Sequence, residues 1–195
     1  MHKPQPDSEQ WQRAAFLMDY AVAAINRTGQ DQVENDAYWT VWHEDKQHLM
    51  IGRKSDQAVI VEAHFNHKTE QWGIDYSNVG LEDWQDFKDR QQARQQEEQQ
   101  YYHGLYNHFA PQQVVSVEQR DRVVAGKVWG WAQTQGLEER AAAKEAALTL
   151  VYQAHVQQMG QQQGDDVALA YVNRIVREAT ASHQLSVETT KQIEL

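Results

Sequence analysis

Apolar and polar positions alternate along this chain in two distinct rhythms, and the change between them divides it. Trp11, Ala14, Ala15, Met18, Ala21, Val22 and Ile25 recur at helical spacing and form one apolar stripe. Asp7 with Gln10 three residues on fits a capping box at the start of this helix better than Ser8 does. Asn26 to Asp36, with Gly29 inside it, reads as a loop.

The period then shortens to two. Trp39 and Val41 alternate with Tyr38, Thr40 and Trp42. Leu49 and Ile51 lead a second run. Val59, Val61, Ala63 and Phe65 lead a third, with Glu62 and His64 opposite. Trp72, Ile74 and Tyr76 lead a fourth, with Asp75 and Ser77 opposite. Such alternation is the mark of an antiparallel sheet with one buried and one wetter face. The connections are short and polar (Glu44–Gln47, Lys54–Asp56 and Asn66–Glu70), so the four runs predict a meander of sequential hairpins. The first helix is placed to cover its apolar face.

After Gly80 the helical rhythm returns. Leu81 to about Tyr106 predicts one long helix whose Arg90–Gln100 stretch has a single apolar residue and cannot be core. Ala110-Pro111 marks a boundary, because the residue before proline avoids the helical region. Three further helices follow at about Val117–Gln135, Leu137–Met159 and Asp166–Ser182, and Ser186–Leu195 reads as a loose tail. The fold class is α+β: a sheet module over residues 1–110 and a helical part over 111–195, with one continuous domain as the alternative. Over about residues 8–106 the order of elements is topologically similar to secretion-chaperone-like modules, with no diagnostic motif. That resemblance implies a surface of sheet and helix that binds other proteins.

Composition narrows the function classes. The 195 residues include no Cys, which removes disulfide scaffolds and thiolate metal sites. No apolar run is long enough to span a membrane, and Met1–Pro6 leads into no export signal, so a cytoplasmic protein is expected. Residues 1–114 carry 18 acids and 10 bases, against 10 acids and 8 bases in the remainder. The acidic first part disfavours a phosphate backbone or an anionic lipid surface as partner.

Candidate chemistry is sparse. His43 and His48 flank the Glu44–Gln47 turn and could form a cross-strand pair near Glu44, the start of a site for a metal-dependent enzyme. Zinc, however, needs three or four converging ligands, and no His-Glu-x-x-His spacing occurs. Nucleophile elbows and phosphate-cradling loops are absent, so no catalytic residue and no cofactor is expected. Residues 128–144 place Ala132, Gly136 and Leu137 at helix-turn-helix spacing, which makes a transcriptional regulator the alternative. The second helix nonetheless opens on Glu138-Glu139, where DNA would meet basic or amide groups.

Aromatic residues are in surplus. Tyr38 and Trp42 cannot share a face with Trp39, and Tyr101, Tyr102 and Tyr106 close the polar helix. Trp and Tyr are enriched where proteins meet. The leading expectation is therefore a non-enzymatic protein-binding or adaptor module, engaging a protein partner or a second copy through Tyr38, Trp42, Tyr101, Tyr102 and Tyr106.

Overall fold

Ser8 opens the first helix. Its Oγ accepts from the Trp11 amide at 3.2 Å, while Asp7 sits in the left-handed region at φ 65°, so the predicted Asp7 cap is replaced by its neighbour. Gln10, the expected capping-box partner, instead holds the sheet: the Ser77 hydroxyl lies 3.0 Å from its Oε1 and 3.2 Å from its carbonyl oxygen. The computed structural model describes residues 3–43, 47–113 and 116–193, with side chains up to Ser182. In chain order the elements are α1 (Glu9–Thr28), β1 (Gln32–Glu34), β2 (Tyr38–Trp42), β3 (His48–Arg53), β4 (Val59–Asn66) and β5 (Gln71–Ser77). The helices α2 (Leu81–Phe109), α3 (Val117–Thr134), α4 (Glu139–Val151), α5 (Ala154–Gln163) and α6 (Asp165–Ile193) follow.

The architecture is α+β, with five antiparallel strands in the order β1-β2-β3-β4-β5 rather than four. The additional strand, β1, lies in the segment read as a loop. It has one apolar residue in three, so it carries no alternation signal, yet Val33 packs against the core. Asn35 makes the following turn by accepting from the amides of Ala37 and Tyr38, both at 2.8 Å.

Chain contacts separate two units, Met1–Arg94 and Gln95–Leu195, each with its own core. The division falls inside α2, so the second half of that helix groups with the C-terminal helices, whereas the sequence reading kept residues through 110 with the sheet. In the first unit Ala14, Leu17, Met18, Ala21 and Ile25 of α1 are buried with Tyr38, Leu49, Ile51, Val61, Ala63 and Ile74. Burying each large side chain among these contributes about 1.5–3 kcal/mol before the entropy of ordering it.

Two register shifts alter the predicted strand phases. One lies between Ile51 and Gly52, where Gly52 pairs with Val59 and Ile51 with Val61, so that Ile60 is extra and joins Val61 in the core. The other lies between Glu62 and Ala63, where Ala63 pairs with Ile74 and Glu62 with Tyr76, leaving Asp75 extra. A bulge changes which face later residues occupy. Tyr76 consequently leaves the face of Ile74, which it was expected to share, and Ser77 turns toward α1.

In the second unit Val124, Ala125, Val128 and Ala132 of α3 share a core with Ala142, Ala146 and Leu150 of α4 and with Val172, Ile175 and Ala179 of α6. The helix expected at Leu137–Met159 is two: α4 ends at Val151, and Gln153 takes extended backbone at ψ 139° before α5. No Gly or Pro marks that break. Tyr152 at the joint stacks on Tyr102 with ring centroids 5.1 Å apart. The final helix also passes its expected end. Its backbone continues to Ile193 where a loose tail was expected, and no Gly or Pro after Gly164 interrupts it.

Candidate site: the sheet face turned away from the first helix

Strand phase decides which aromatic rings reach the surface. Tyr38, Thr40 and Trp42 point to the α1 side: Tyr38 is 7% exposed, and Trp42 packs on the same core with Trp72 at 5.8 Å between ring centroids. Trp39 and Val41 therefore take the opposite face. Across it run three rows fixed by register: Trp39 beside Gly52; Val41, Met50, Glu62 and Tyr76; and His48, His64 and Gly73. Trp39, Val41, Met50 and Tyr76 are half-buried yet belong to neither core.

Glycine shapes this face at two points. A Cβ on Gly52 would collide with the Trp39 indole, so the ring lies flat against the backbone there. A Cβ on Gly73 would likewise meet the His64 imidazole. The β5 bulge then sets Asp75 beside His64, with Nδ1 to Oδ2 at 2.6 Å, and the Lys3 ammonium reaches Asp75 Oδ1 at 3.1 Å. Burial pushes the Asp75 carboxyl up, but hydrogen bonds from His64 and Lys3 outweigh it and hold it below the ordinary carboxylate range.

His43 and His48 are cross-strand neighbours, the His43 amide donating to the His48 carbonyl at 2.8 Å. Together with Met50, Glu62 and Asp75 they border a shallow cavity of about 280 Å³. Among the described residues no three His, Asp or Glu side chains converge to hold a metal ion, and Glu44 lies outside those residues.

Beside Tyr38, charges are matched within the unit. Asp83, 4% exposed, accepts from the Gly80 amide at 3.0 Å and from the Tyr38 hydroxyl at 3.2 Å, with Arg53 Nε at 3.5 Å. Arg90 pairs with Asp86 at 2.7 Å and with Asp36 at 2.8 Å. This network ties the start of α2 to the sheet. Burial first, then the charges of Asp83 and Asp86, raise the Tyr38 hydroxyl well above its ordinary value.

The second unit has a polar centre that sequence reasoning did not single out. Asp121, fully buried on α3, accepts from the Tyr171 hydroxyl at 2.6 Å and the Tyr106 hydroxyl at 2.7 Å, and faces His155 Nε2 at 2.8 Å. Burial alone would raise this carboxyl, but the bonds from His155, Tyr171 and Tyr106 leave it below the ordinary range. Burial and the bonds to Asp121 raise both tyrosines. The signal was legible: Asp121 stands in helical phase with Val124 and Val128, an acid on an apolar stripe.

The remaining expected residues separate by environment. Tyr106, 5% exposed, belongs to the Asp121 cluster. Tyr102 is half-buried and stacks on Tyr152, while Tyr101 is 49% exposed. In the 128–144 segment Ala132 is buried, but Leu137 is 37% exposed at the turn, and Glu138, Glu139 and Arg140 are exposed together.

Among the described residues no helix is long and apolar enough to cross a membrane. No family model, curated protein or solved structure matches this chain.

Proposed function

We propose that this protein is a non-enzymatic binding module whose contact surface is the sheet face bearing Trp39, Val41, Met50 and Tyr76. One observation carries the reading: these four large side chains share one sheet face, with Glu62 between Met50 and Tyr76, are half-buried, and pack against neither core. A large apolar patch rimmed by polar groups marks an interaction surface on soluble proteins. Here His48, His64, Glu62 and Asp75 supply the rim and the middle of the patch. Trp39, rigid against Gly52, is the natural anchor, because a fixed aromatic ring loses little entropy when it is covered.

The polar clusters elsewhere fit holding roles. Asp121 is closed by three partners from other helices, and Asp83 by Tyr38, Arg53 and the Gly80 amide. A cytoplasmic location suits a chain with no Cys.

The test compares wild-type protein with Trp39→Ala and with Tyr101→Ala as immobilised baits, after circular dichroism shows matched folds. Under this reading a specific partner band disappears with Trp39→Ala and persists with Tyr101→Ala. Identical capture profiles for all three baits would exclude the Trp39 face as the contact surface.

A further inference from the structure

On the same face, among the described residues, one charge lacks an internal partner. Glu62 stands in the row between Met50 and Tyr76, half-buried, and borders the cavity that His43, His48 and Asp75 also line. Among the described residues its carboxylate has no hydrogen-bond or ion-pair partner. Covering such a carboxylate costs free energy unless whatever covers it supplies a compensating group.

The face is also one-sided in charge. Its strand positions hold Glu34 and Glu62, with Asp75 in the bulge, and no Lys or Arg. Cations that do reach it come from elsewhere in the chain: Lys3 sits on Asp75 at 3.1 Å, and Lys54 pairs with Glu34 at 2.9 Å. An ammonium group therefore already docks on this surface from a flanking segment, and among the described residues Glu62 is left without one. Two copies meeting through the face would bring their uncompensated Glu62 carboxylates together, so like-charge repulsion opposes self-association. Tyr76 beside Glu62, and Trp39 two residues along β2 from Val41, offer ring faces that also favour a cation.

We infer that the occupant of this face is a segment of another protein carrying Lys or Arg next to an aliphatic or aromatic residue. The cation meets Glu62, and the apolar neighbour covers Met50 and Trp39. This rests on the docking reading above and adds the partner's chemistry to it.

The experiment selects binders from a random 12-residue peptide library displayed on phage, using the full-length protein, with counter-selection on Trp39→Ala (Met50→Ala if that variant fails to fold). Synthetic copies of the winners are titrated into wild type and Glu62→Gln by isothermal calorimetry. The expected winners carry Lys or Arg, lose about tenfold or more in affinity for Glu62→Gln, and weaken as salt rises. Trp39-dependent peptides without a cation, or ones that bind Glu62→Gln equally well, overturn the basic-partner inference and leave the docking surface standing. A Trp39-dependent dimer by light scattering overturns it as well, since the occupant is then a second copy. No Trp39-dependent binder of any kind overturns both readings.

Discussion

At the scale of single residues, the most consequential group is Asp121. Its three partners come from α2, α5 and α6, so replacing it by Ala leaves the buried Tyr106 hydroxyl, and the half-buried Tyr171 hydroxyl and His155 ring, without their acceptor. A cost of about 3 kcal/mol is expected, read as a lower urea midpoint. The pH dependence follows from the shifts. A carboxyl held below its unfolded value contributes stability that is complete above a pH of about 4 and is lost as pH falls through the lower folded value. Tyr106 and Tyr171 are raised, so their contribution is present below a pH of about 10 and declines as pH rises beyond it. Asp121→Asn should therefore flatten the acid limb of the stability profile; an unchanged acid slope would show that Asp121 does not set it. Gly52 gives a second residue-level test. Gly52→Ala displaces the Trp39 ring at a cost of about 1–3 kcal/mol, and partner capture should fall with it.

At the scale of elements, β2 to β5 and the long helices were legible, as were the buried phases of Leu49, Ile51, Val61, Ala63 and Ile74, while β1 and the shifts at the bulges were not. Strict alternation located β2 to β5, but alternation cannot announce a bulge. The extra residue at Asp75 moved Tyr76 to the far face, and the extra Ile60 went into the core. In β2 both phases are aromatic-rich, so the pattern could not decide whether Tyr38 and Trp42 or Trp39 faced outward; burial against α1 decided it. The break between α4 and α5 was hidden for a related reason. At the joint the Tyr152 ring stacks on Tyr102 with its hydroxyl 2.9 Å from Glu98, a tertiary contact that no local pattern announces. A double-mutant cycle on Tyr102 and Tyr152 should return a coupling of about 1 kcal/mol, and a value near zero would remove stacking as what holds the joint. For α1, Leu17 is fully buried over the sheet, and Leu17→Ala should cost about 2–5 kcal/mol in equilibrium unfolding.

At the scale of the whole molecule, two cores in one chain predict two separable responses. Leu17→Ala should lower hydrogen-exchange protection through α1 and the sheet, and Asp121→Ala should do so through α3 to α6, each leaving the other core protected. Equal loss throughout would show one cooperative unit instead. The charge excess takes on a location at this scale too: the acidic first part of the chain includes the face on which Glu62 has no cation among the described residues. The claim at the centre of the account is that this face meets another polypeptide. A photocrosslinking amino acid placed at Met50, in the middle of the patch, tests it most directly, with Gln12 on the exposed side of α1 as the control. Adducts to a second chain are expected from position 50, suppressed by Trp39→Ala, and none from position 12. Absence of adducts at position 50, or equal adducts from both positions, would contradict it.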